Sequence, residues 1–287
     1  MVEGLSADQV AAFKAAISET WNLPIHIEKY FRYDDAFRQF FQPTGDLVIE
    51  ALGAQPGWSV LDVAAGTGLL TLEVAELVGD GGRVHATDVC AAFVELIERK
   101  AGDAGLAQVS AALQDAHDLD DEQRYDAAMC RFATMYFADP ELALGAIRRA
   151  LRPGGRFVSV VWTDPGQPLF AATFGALGRR LTLPAPVPGA PSPFRYAPAG
   201  AASADLIRAG LVDVEESTHT MVGHWPLGGA ELWDFFVGAL VGPLEQLDAA
   251  ARAALDEEIT GMFEQRRTGD VLEVPMTVHL VTGHAPS

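Results

Sequence analysis

Short apolar runs alternate with amphipathic segments through the middle of the chain, between residues 57 and 162. The runs have the length of buried strands, and the amphipathic segments have the apolar spacing of helices. The predicted strands span 58–63, 83–87, 109–113, 125–130 and 156–162, and the predicted helices span 67–78, 90–104 and 140–151. This alternation is typical of βαβ units. It predicts an α/β fold with a Rossmann-like, doubly wound and mostly parallel sheet.

The regions that flank this core are predicted to be largely helical. Residues 5–20 have the pattern of an amphipathic helix, and Ser6 with Gln9 three residues later forms a capping-box sequence. An aromatic-rich stretch follows, and a second helix is expected at about 43–54. Beyond the core, the pattern predicts helices at 169–181 and 202–209, strands at 211–219 and 275–284, a Pro-rich insertion at 163–200 and a mostly helical insertion at about 228–268.

The net charge limits which classes of molecule the protein is expected to bind. The 287 residues carry a formal net charge of -19 at pH 7, and they contain no run rich in Lys and Arg. Phosphate backbones and anionic lipids repel such a surface, which disfavours a nucleic-acid substrate and stable membrane association. A small-molecule substrate is therefore expected. The sequence is compatible with a homo-oligomer and does not define the oligomeric state.

Cysteine usage and hydropathy bear on the compartment. Cys90 and Cys130 lie in apolar surroundings and form no CxxC pair, so they are interpreted as small buried hydrophobic side chains. This suits a reducing compartment. The N-terminal residues lack the apolar run of a signal peptide, and the longest apolar stretches are too short to span a bilayer. These features predict a cytoplasmic protein without a bound metal.

A glycine-rich turn, DVAAGTG at 62–68, stands between the first predicted strand and the helix that follows it. Its small residues let the backbone approach a ligand, and the helix start presents free N–H groups. Asp62 can accept hydrogen bonds from a ligand ammonium. Asp88 ends the second strand, where a carboxylate can accept hydrogen bonds from ribose hydroxyls. Asp115 follows the third strand and can meet an adenine amino group.

Three acids placed after three successive strands favour a ligand made of a nucleoside and an amino acid. The carboxyl ends of parallel strands share one edge of the sheet, so the three carboxylates are expected near one another. A dinucleotide site would need a third glycine at the position of Thr71. The alternative is that the three acids only cap helices or turns.

Five motifs follow one another between residues 57 and 162: VLDVAAGTG, HATDV, LQDAHDL, CRFATMYFADP and RRALRPGGRFVSVVW. They resemble the motifs of class I S-adenosylmethionine-dependent methyltransferases, most closely the ubiquinone/menaquinone-biosynthesis-type branch. The downstream PFRYAP, LIRAGLVDVE and PMTVHLVTGH are also similar to that branch. The resemblance implies S-adenosyl-L-methionine as cofactor. It also implies a seven-stranded sheet with helical cap insertions and an antiparallel last strand inserted beside the preceding one.

The resemblance also implies roles for individual residues. The glycine turn would surround the methionine part, Asp88 the ribose and Asp115 the adenine, and Arg131 would lie beside the sulfonium. The residues implied to bind the cofactor are Asp62, Ala64, Gly66, Thr67, Gly68, Asp88, Val89, Asp115, Ala116 and Arg131. One position departs from the family pattern, because Ala64 replaces the first glycine of the turn. We expect this mild change to be tolerated.

Aromatic side chains are the main clue to the methyl acceptor. The segment after the fourth strand should reach the active edge, where it lines either an apolar pocket or ordinary core. The residues expected in the pocket are Tyr30, Tyr33, Phe132, Met135, Tyr136, Phe194 and Tyr196. No pair of side chains identifies a general base, for which His224, Tyr136 and His26 are the candidates. His117 is interpreted as a structural or cofactor-side residue.

These features predict an enzyme that methylates an O, C or N atom of a small, largely apolar molecule, in secondary metabolism or quinone-like biosynthesis. The alternative is an enzyme with the same fold and cofactor that catalyses a cyclisation or rearrangement. A non-catalytic binding module and a dehydrogenase rank lower. The expected division is an N-terminal helical segment contributing to the lid at 1–56, a cofactor-binding core at 57–162, an insertion over the active site at 163–200, and the end of the core sheet at 201–287.

Overall fold

A computed structural model of the chain describes residues 5–182, 187, 189–237 and 241–287, with the backbone alone for 241–242. The strands are β1 Ser59–Val63, β2 Arg83–Asp88, β3 Val109–Leu113, β4 Tyr125–Arg131, β5 Leu151–Trp162, β6 Val212–Trp225, β7 Arg267–Thr268 and β8 Val271–His284. The helices are α1 Ala7–Trp21, α2 Pro24–Arg32, α3 Asp34–Leu52, α4 Leu69–Val78, α5 Ala91–Asp103, α6 Pro140–Ala150, α7 Pro168–Gly178, α8 Ala201–Arg208, α9 Gly229–Val237, α10 Val241–Leu244 and α11 Ala249–Glu264. Single 3-10 turns lie at Ala116–Asp118 and Thr134–Tyr136.

The strands form one sheet in the order β3-β2-β1-β4-β5-β8-β6, and the two-residue β7 pairs with β8. The five strands from β3 to β5 are parallel, whereas β8 runs antiparallel between β5 and β6. The α/β fold and the inserted antiparallel last strand are therefore confirmed. The order in which strands are added to the sheet reverses at β1, because β2 and β3 lie on one side of it and β4 lies on the other. Ligands bind at such a switch point, beyond the carboxyl ends of the strands.

Local sequence explains several element ends. The N-cap Ser6 forms the predicted capping box with Gln9. Pro140 occupies the first turn of α6, where a missing N–H costs nothing, and the side chain of Asp139 accepts a hydrogen bond from the backbone N–H of Leu142 at 3.0 Å. The predicted strands and helices of the core are found with ends shifted by a few residues, except that β5 begins earlier, at Leu151.

The N-terminal region differs from its prediction. A single helix was expected at about 43–54, but α2 and α3 make residues 24–52 almost continuously helical. Pro43, which would suit a helix start, lies inside α3. The helix persists because Phe40, Phe41, Thr44 and Val48 are buried on one face, and this packing outweighs the local preference of proline.

The C-terminal strands are longer than predicted. Strands β6 and β8 pair over almost their full lengths, from Trp225 opposite Leu272 to Val212 opposite His284. The insertion expected at about 228–268 contains α9 and α11, which pack against each other. The Pro-rich insertion expected at 163–200 falls partly on residues 183–186 and 188, which lie outside the described residues. Within the described ranges, no helix is long and apolar enough to cross a membrane.

Candidate cofactor and acceptor site

The glycine-rich turn between β1 and α4 holds several residues in the left-handed backbone region. Ala64, Gly66 and Gly68 have φ values of 56°, 58° and 79°. A Cβ atom at Gly68 would lie 2.7 Å from Cγ1 of Ile97, so only glycine fits there. A Cβ atom at Gly66 would meet nothing within 4 Å, because this backbone faces open space. The turn is therefore shaped to leave room for a ligand.

Asp62 lies at the carboxyl end of β1 and is buried. Its Oδ2 accepts a hydrogen bond of 2.6 Å from the hydroxyl of Thr71 on α4. Burial raises the pKa of Asp62 to about 7, although the Thr71 hydrogen bond and the positive charge of Arg131 act in the opposite direction. Burial also lowers the pKa of Arg131. Both side chains line the cavity, and when Asp62 is ionised the pair presents the opposite charges that match the ammonium and carboxylate of an amino acid.

Asp88 connects the end of β2 to the turn. Its Oδ2 accepts a 2.8 Å hydrogen bond from the backbone N–H of Gly66, and its Oδ1 accepts a 2.9 Å hydrogen bond from that of Cys90. Burial raises the pKa of Asp88, and these two bonds oppose the rise. Each carboxylate oxygen has further acceptor capacity, which two vicinal hydroxyls can use. Asp88 therefore both positions the turn and suits a ribose.

Asp115 follows β3 and is engaged with His117. Its Oδ1 accepts 2.9 Å and 2.5 Å hydrogen bonds from the backbone N–H and Nδ1 of His117. The Nε2 atom of His117 accepts a 3.1 Å hydrogen bond from the backbone N–H of Asp139. Burial would raise the pKa of Asp115, but the hydrogen bonds from His117 outweigh it, and the pKa lies below its usual value. Because both ring nitrogens have partners, His117 is suited to a structural role and not to that of a free base.

These elements enclose a cavity of about 260 Å³ at the carboxyl edge of the sheet. The turn and the acids line part of it, and aromatic rings line much of the remainder. The aromatic wall residues are Trp21, Tyr30, Phe37, Phe41, Phe93, Phe132, Tyr136, Phe137, Trp162, Phe170, Phe174, Phe235 and Phe236. Phe132 has a φ of 59° and stacks on Trp162 with ring centroids 4.1 Å apart. A strained backbone beside a cavity is typical of functional sites.

Most of the residues expected in the site line this cavity. They include every residue expected to bind the cofactor except Gly68, which supports the turn from behind, together with the expected pocket residues Tyr30, Phe132, Met135 and Tyr136. His26, one candidate base, also lines the cavity and meets Trp21 edge-on at 5.4 Å.

Four other expected residues lie outside the cavity wall. Tyr33 is buried and donates to Asp234, and Tyr196 is buried and donates to Asp205, each at 2.8 Å. Phe194 packs behind the wall, against Phe170 at 4.8 Å. His224 lies on β6, half exposed and 4.0 Å from a carboxylate oxygen of Glu273. These contacts stabilise the fold, and none of the four side chains lines the cavity.

The sequence prediction did not include the wall residues from three distant segments. Trp162 ends β5, Phe170 and Phe174 lie on α7, and Phe235 and Phe236 lie on α9. Their apolar character is also typical of ordinary core, so only tertiary packing identifies them as a wall. Lys14 and Lys29, on α1 and α2, were likewise missed.

S-adenosylmethionine fits the residues present. The site offers Asp62 and Arg131 for an amino acid, Asp88 for a ribose and a backbone with open space at Gly66. The buried Oγ1 atom of Thr67, within the turn, has no hydrogen-bond partner among the described residues. An unpartnered buried hydroxyl at the cavity wall is a feature that a bound ligand can satisfy.

Comparison with known proteins agrees with this geometry. Residues 60–155 match the family model of a methyltransferase domain. The ubiquinone/menaquinone biosynthesis C-methyltransferase UbiE of Teredinibacter turnerae is 35% identical over 128 residues, which are 44% of this chain and 51% of that protein. The chain thus spans about half the length of the curated relatives it matches.

Two solved structures share the fold. YcgJ from Bacillus subtilis is 17% identical, with a TM-score of 0.57 over 86% of this chain and 99% of that one. Phosphoethanolamine N-methyltransferase 2 from Haemonchus contortus, solved with phosphomonomethylethanolamine and S-adenosylhomocysteine, is 15% identical, with a TM-score of 0.54 over 88% of this chain and 56% of that one. Residues 60–155 are thus similar to a methyltransferase domain and to the C-methyltransferases of ubiquinone and menaquinone biosynthesis, and the two solved structures share the fold of the chain.

Proposed function

We propose that this chain transfers a methyl group from S-adenosylmethionine to an O, C or N atom of a small, largely apolar molecule. The observation that carries the proposal is the continuity of one cavity. The acids, the glycine turn and a large set of aromatic rings all line this cavity. Flat, apolar molecules are bound well by such walls. The curated relatives are C-methyltransferases of ubiquinone and menaquinone biosynthesis, which supports a quinone-like acceptor.

In such a methyl transfer the main task of the protein is to align the acceptor with the methyl group. S-adenosylmethionine, when bound, supplies a methyl group on a positively charged sulfur that is a good leaving group. The aromatic wall excludes water and holds the acceptor near the turn. Tyr30 and Tyr136 line this wall, and burial raises the pKa of both phenols, so they remain protonated and can donate hydrogen bonds to an acceptor oxygen. His26 and His117 both line the cavity, but hydrogen bonds hold both ring nitrogens of His117. His26 is therefore the better candidate for a base.

Calorimetry with S-adenosylhomocysteine tests the cofactor half of the proposal. Asp88→Ala should weaken binding by at least tenfold, because it removes a charged hydrogen-bond acceptor and the support of the Gly66 N–H. Asp80→Ala, an exposed residue on the turn before β2, is the matched control and should bind like the wild type. Absence of binding to the wild type, or equal binding by the Asp88 variant, would remove the basis of the proposal.

Transfer of label tests the reaction half. With cofactor labelled in the methyl group, the proposal expects label in a product formed from quinol-like or phenolic acceptors. An acceptor that is consumed without gaining label, while the cofactor remains intact, would instead support the cyclisation or rearrangement alternative.

A further inference from the structure

Lysine is rare in this chain, and all of its lysines lie at or beside the cavity. The 20 basic residues comprise three lysines and seventeen arginines. Lys14 and Lys29 line the cavity, and the Nζ atom of Lys100 donates a 3.1 Å hydrogen bond to the carbonyl of Thr67 in the glycine turn. Lys14 is paired with two carboxylates on the adenine side. Lys29 is the lysine for which the cofactor provides no role.

Lys29 lies on the face of α2 that borders the cavity. His26 and Tyr30, at positions i−3 and i+1, line the cavity with it. Its side chain is 10% exposed, and its Nζ atom contacts Oδ1 of Asp234 at 2.5 Å. Among the described residues, Asp234 is the one acceptor within hydrogen-bond distance of this ammonium, which has three donors. Asp234 also accepts a hydrogen bond of 2.8 Å from Tyr33.

The surroundings of Lys29 place it on the acceptor side of the cavity. Phe235 and Phe236 follow Asp234 directly on α9 and belong to the aromatic wall. The other wall cations serve the cofactor side, because Arg131 faces Asp62 and Lys14 faces Asp115. A largely buried ammonium with spare donors beside apolar rings is costly to maintain unless a further acceptor binds it.

We propose that Lys29 binds an oxygen anion, a carboxylate or a phenolate, on the molecule that is methylated. This inference rests on the proposed function and narrows its substrate class to flat, apolar molecules that carry one anionic group. The aromatic wall holds the apolar part, and the charge-assisted hydrogen bond from Lys29 fixes which end of the acceptor faces the cofactor.

A purely structural role for Lys29 makes a different prediction. Lys29 joins α2 to α9 through Asp234, and Arg32 lies 3.6 Å from the other oxygen of the same carboxylate. If this tether were its only role, Lys29→Met and Asp234→Asn would both loosen the wall and weaken all ligands alike. If Lys29 is an anion site, the two variants act in opposite directions, because Asp234→Asn removes a competing carboxylate and Lys29→Met removes the cation.

Naphthalene-2-carboxylate and its neutral isostere naphthalene-2-carboxamide are suitable probes, measured by fluorescence titration of protein saturated with S-adenosylhomocysteine. Lys29→Met should bind the carboxylate at least tenfold more weakly and the carboxamide within about twofold of wild type, as expected for loss of one charged hydrogen bond. Asp234→Asn should bind the carboxylate more tightly. Arg179→Met removes one positive charge from an exposed ion pair outside the cavity, and it should change neither affinity.

Equal losses for both probes in Lys29→Met, or weaker carboxylate binding in Asp234→Asn, would overturn the proposal in favour of a tether. A wild-type protein that binds the carboxamide at least as tightly as the carboxylate would also overturn it. The S-adenosylhomocysteine titration separates this failure from failure of the proposed function. If the protein binds S-adenosylhomocysteine normally but does not distinguish the probes, only the anion-site proposal is contradicted.

Discussion

Ala64 occupies the left-handed backbone region, with a φ of 56°, at the first position of the turn where the family resemblance implies glycine. An L-residue with a Cβ atom costs roughly 1–2 kcal/mol there. Ala64→Gly removes this strain, but it also increases the conformational entropy of the unfolded chain by about 0.4–1 kcal/mol. The net effect should be stabilisation by about 0.5–1 kcal/mol. For a chain of this length that corresponds to an increase of about 1–3 °C in Tm.

Ala65→Gly provides the matched control. It deletes the same methyl group one residue later, where φ is not positive, so only the entropic cost remains. Calorimetric unfolding without ligand should therefore show a higher Tm for Ala64→Gly and a lower Tm for Ala65→Gly. A decrease of similar size in both variants would refute the reasoning, because it would mean that the turn stores no strain at Ala64.

Two further predictions concern the turn and its acid. Gly68→Ala should destabilise the protein by about 2–4 kcal/mol in urea unfolding, since its Cβ atom would lie 2.7 Å from Ile97 in a left-handed conformation. Gly261→Ala is the control, because this helical site has nothing within 4 Å of the new Cβ atom, and it should not destabilise the protein. Asp62 has a raised pKa of about 7, so its protonated form favours the fold and this contribution is lost as pH rises through 7. The free energy of unfolding of wild type should therefore fall relative to Asp62→Asn between about pH 4 and pH 7, and a constant difference over that range would contradict the burial of this carboxylate.

The cofactor end of the site was predictable because its determinants are local in sequence. Asp62, Asp88 and Asp115 each follow a strand, and parallel strands bring their carboxyl ends to one edge whatever the rest of the chain does. The structure places all three at the cavity. Their predicted contacts with the cofactor stay predictions, but their convergence follows from strand order alone.

The acceptor end was only partly predictable, because its wall depends on tertiary packing. Tyr30 and Tyr33 are three residues apart on the same aromatic stretch, yet Tyr30 lines the cavity and Tyr33 turns to Asp234. Phe235 reaches the wall from α9, some 200 residues along the chain from Tyr30, with their ring centroids 5.1 Å apart. Apolar periodicity cannot distinguish such a ring from one buried in the core. Lysine is scarce in the sequence, but only the packing of α2 against α9 places Lys29 at the cavity.

Thr71 shows how one position can exclude one ligand and favour another. A dinucleotide fingerprint needs glycine there so that helix and strand pack closely. Here Thr71 is fully buried, and its hydroxyl donates to Asp62 at the end of β1. The hydrogen bond fixes the orientation of this carboxyl group and opposes the burial that raises its pKa to about 7. A fixed carboxylate opposite Arg131 suits a zwitterionic amino acid, and a pyrophosphate would be repelled by it. The departure from the dinucleotide pattern therefore shapes the site, since the residue that replaces the glycine orients Asp62, the acid predicted to meet the methionine part.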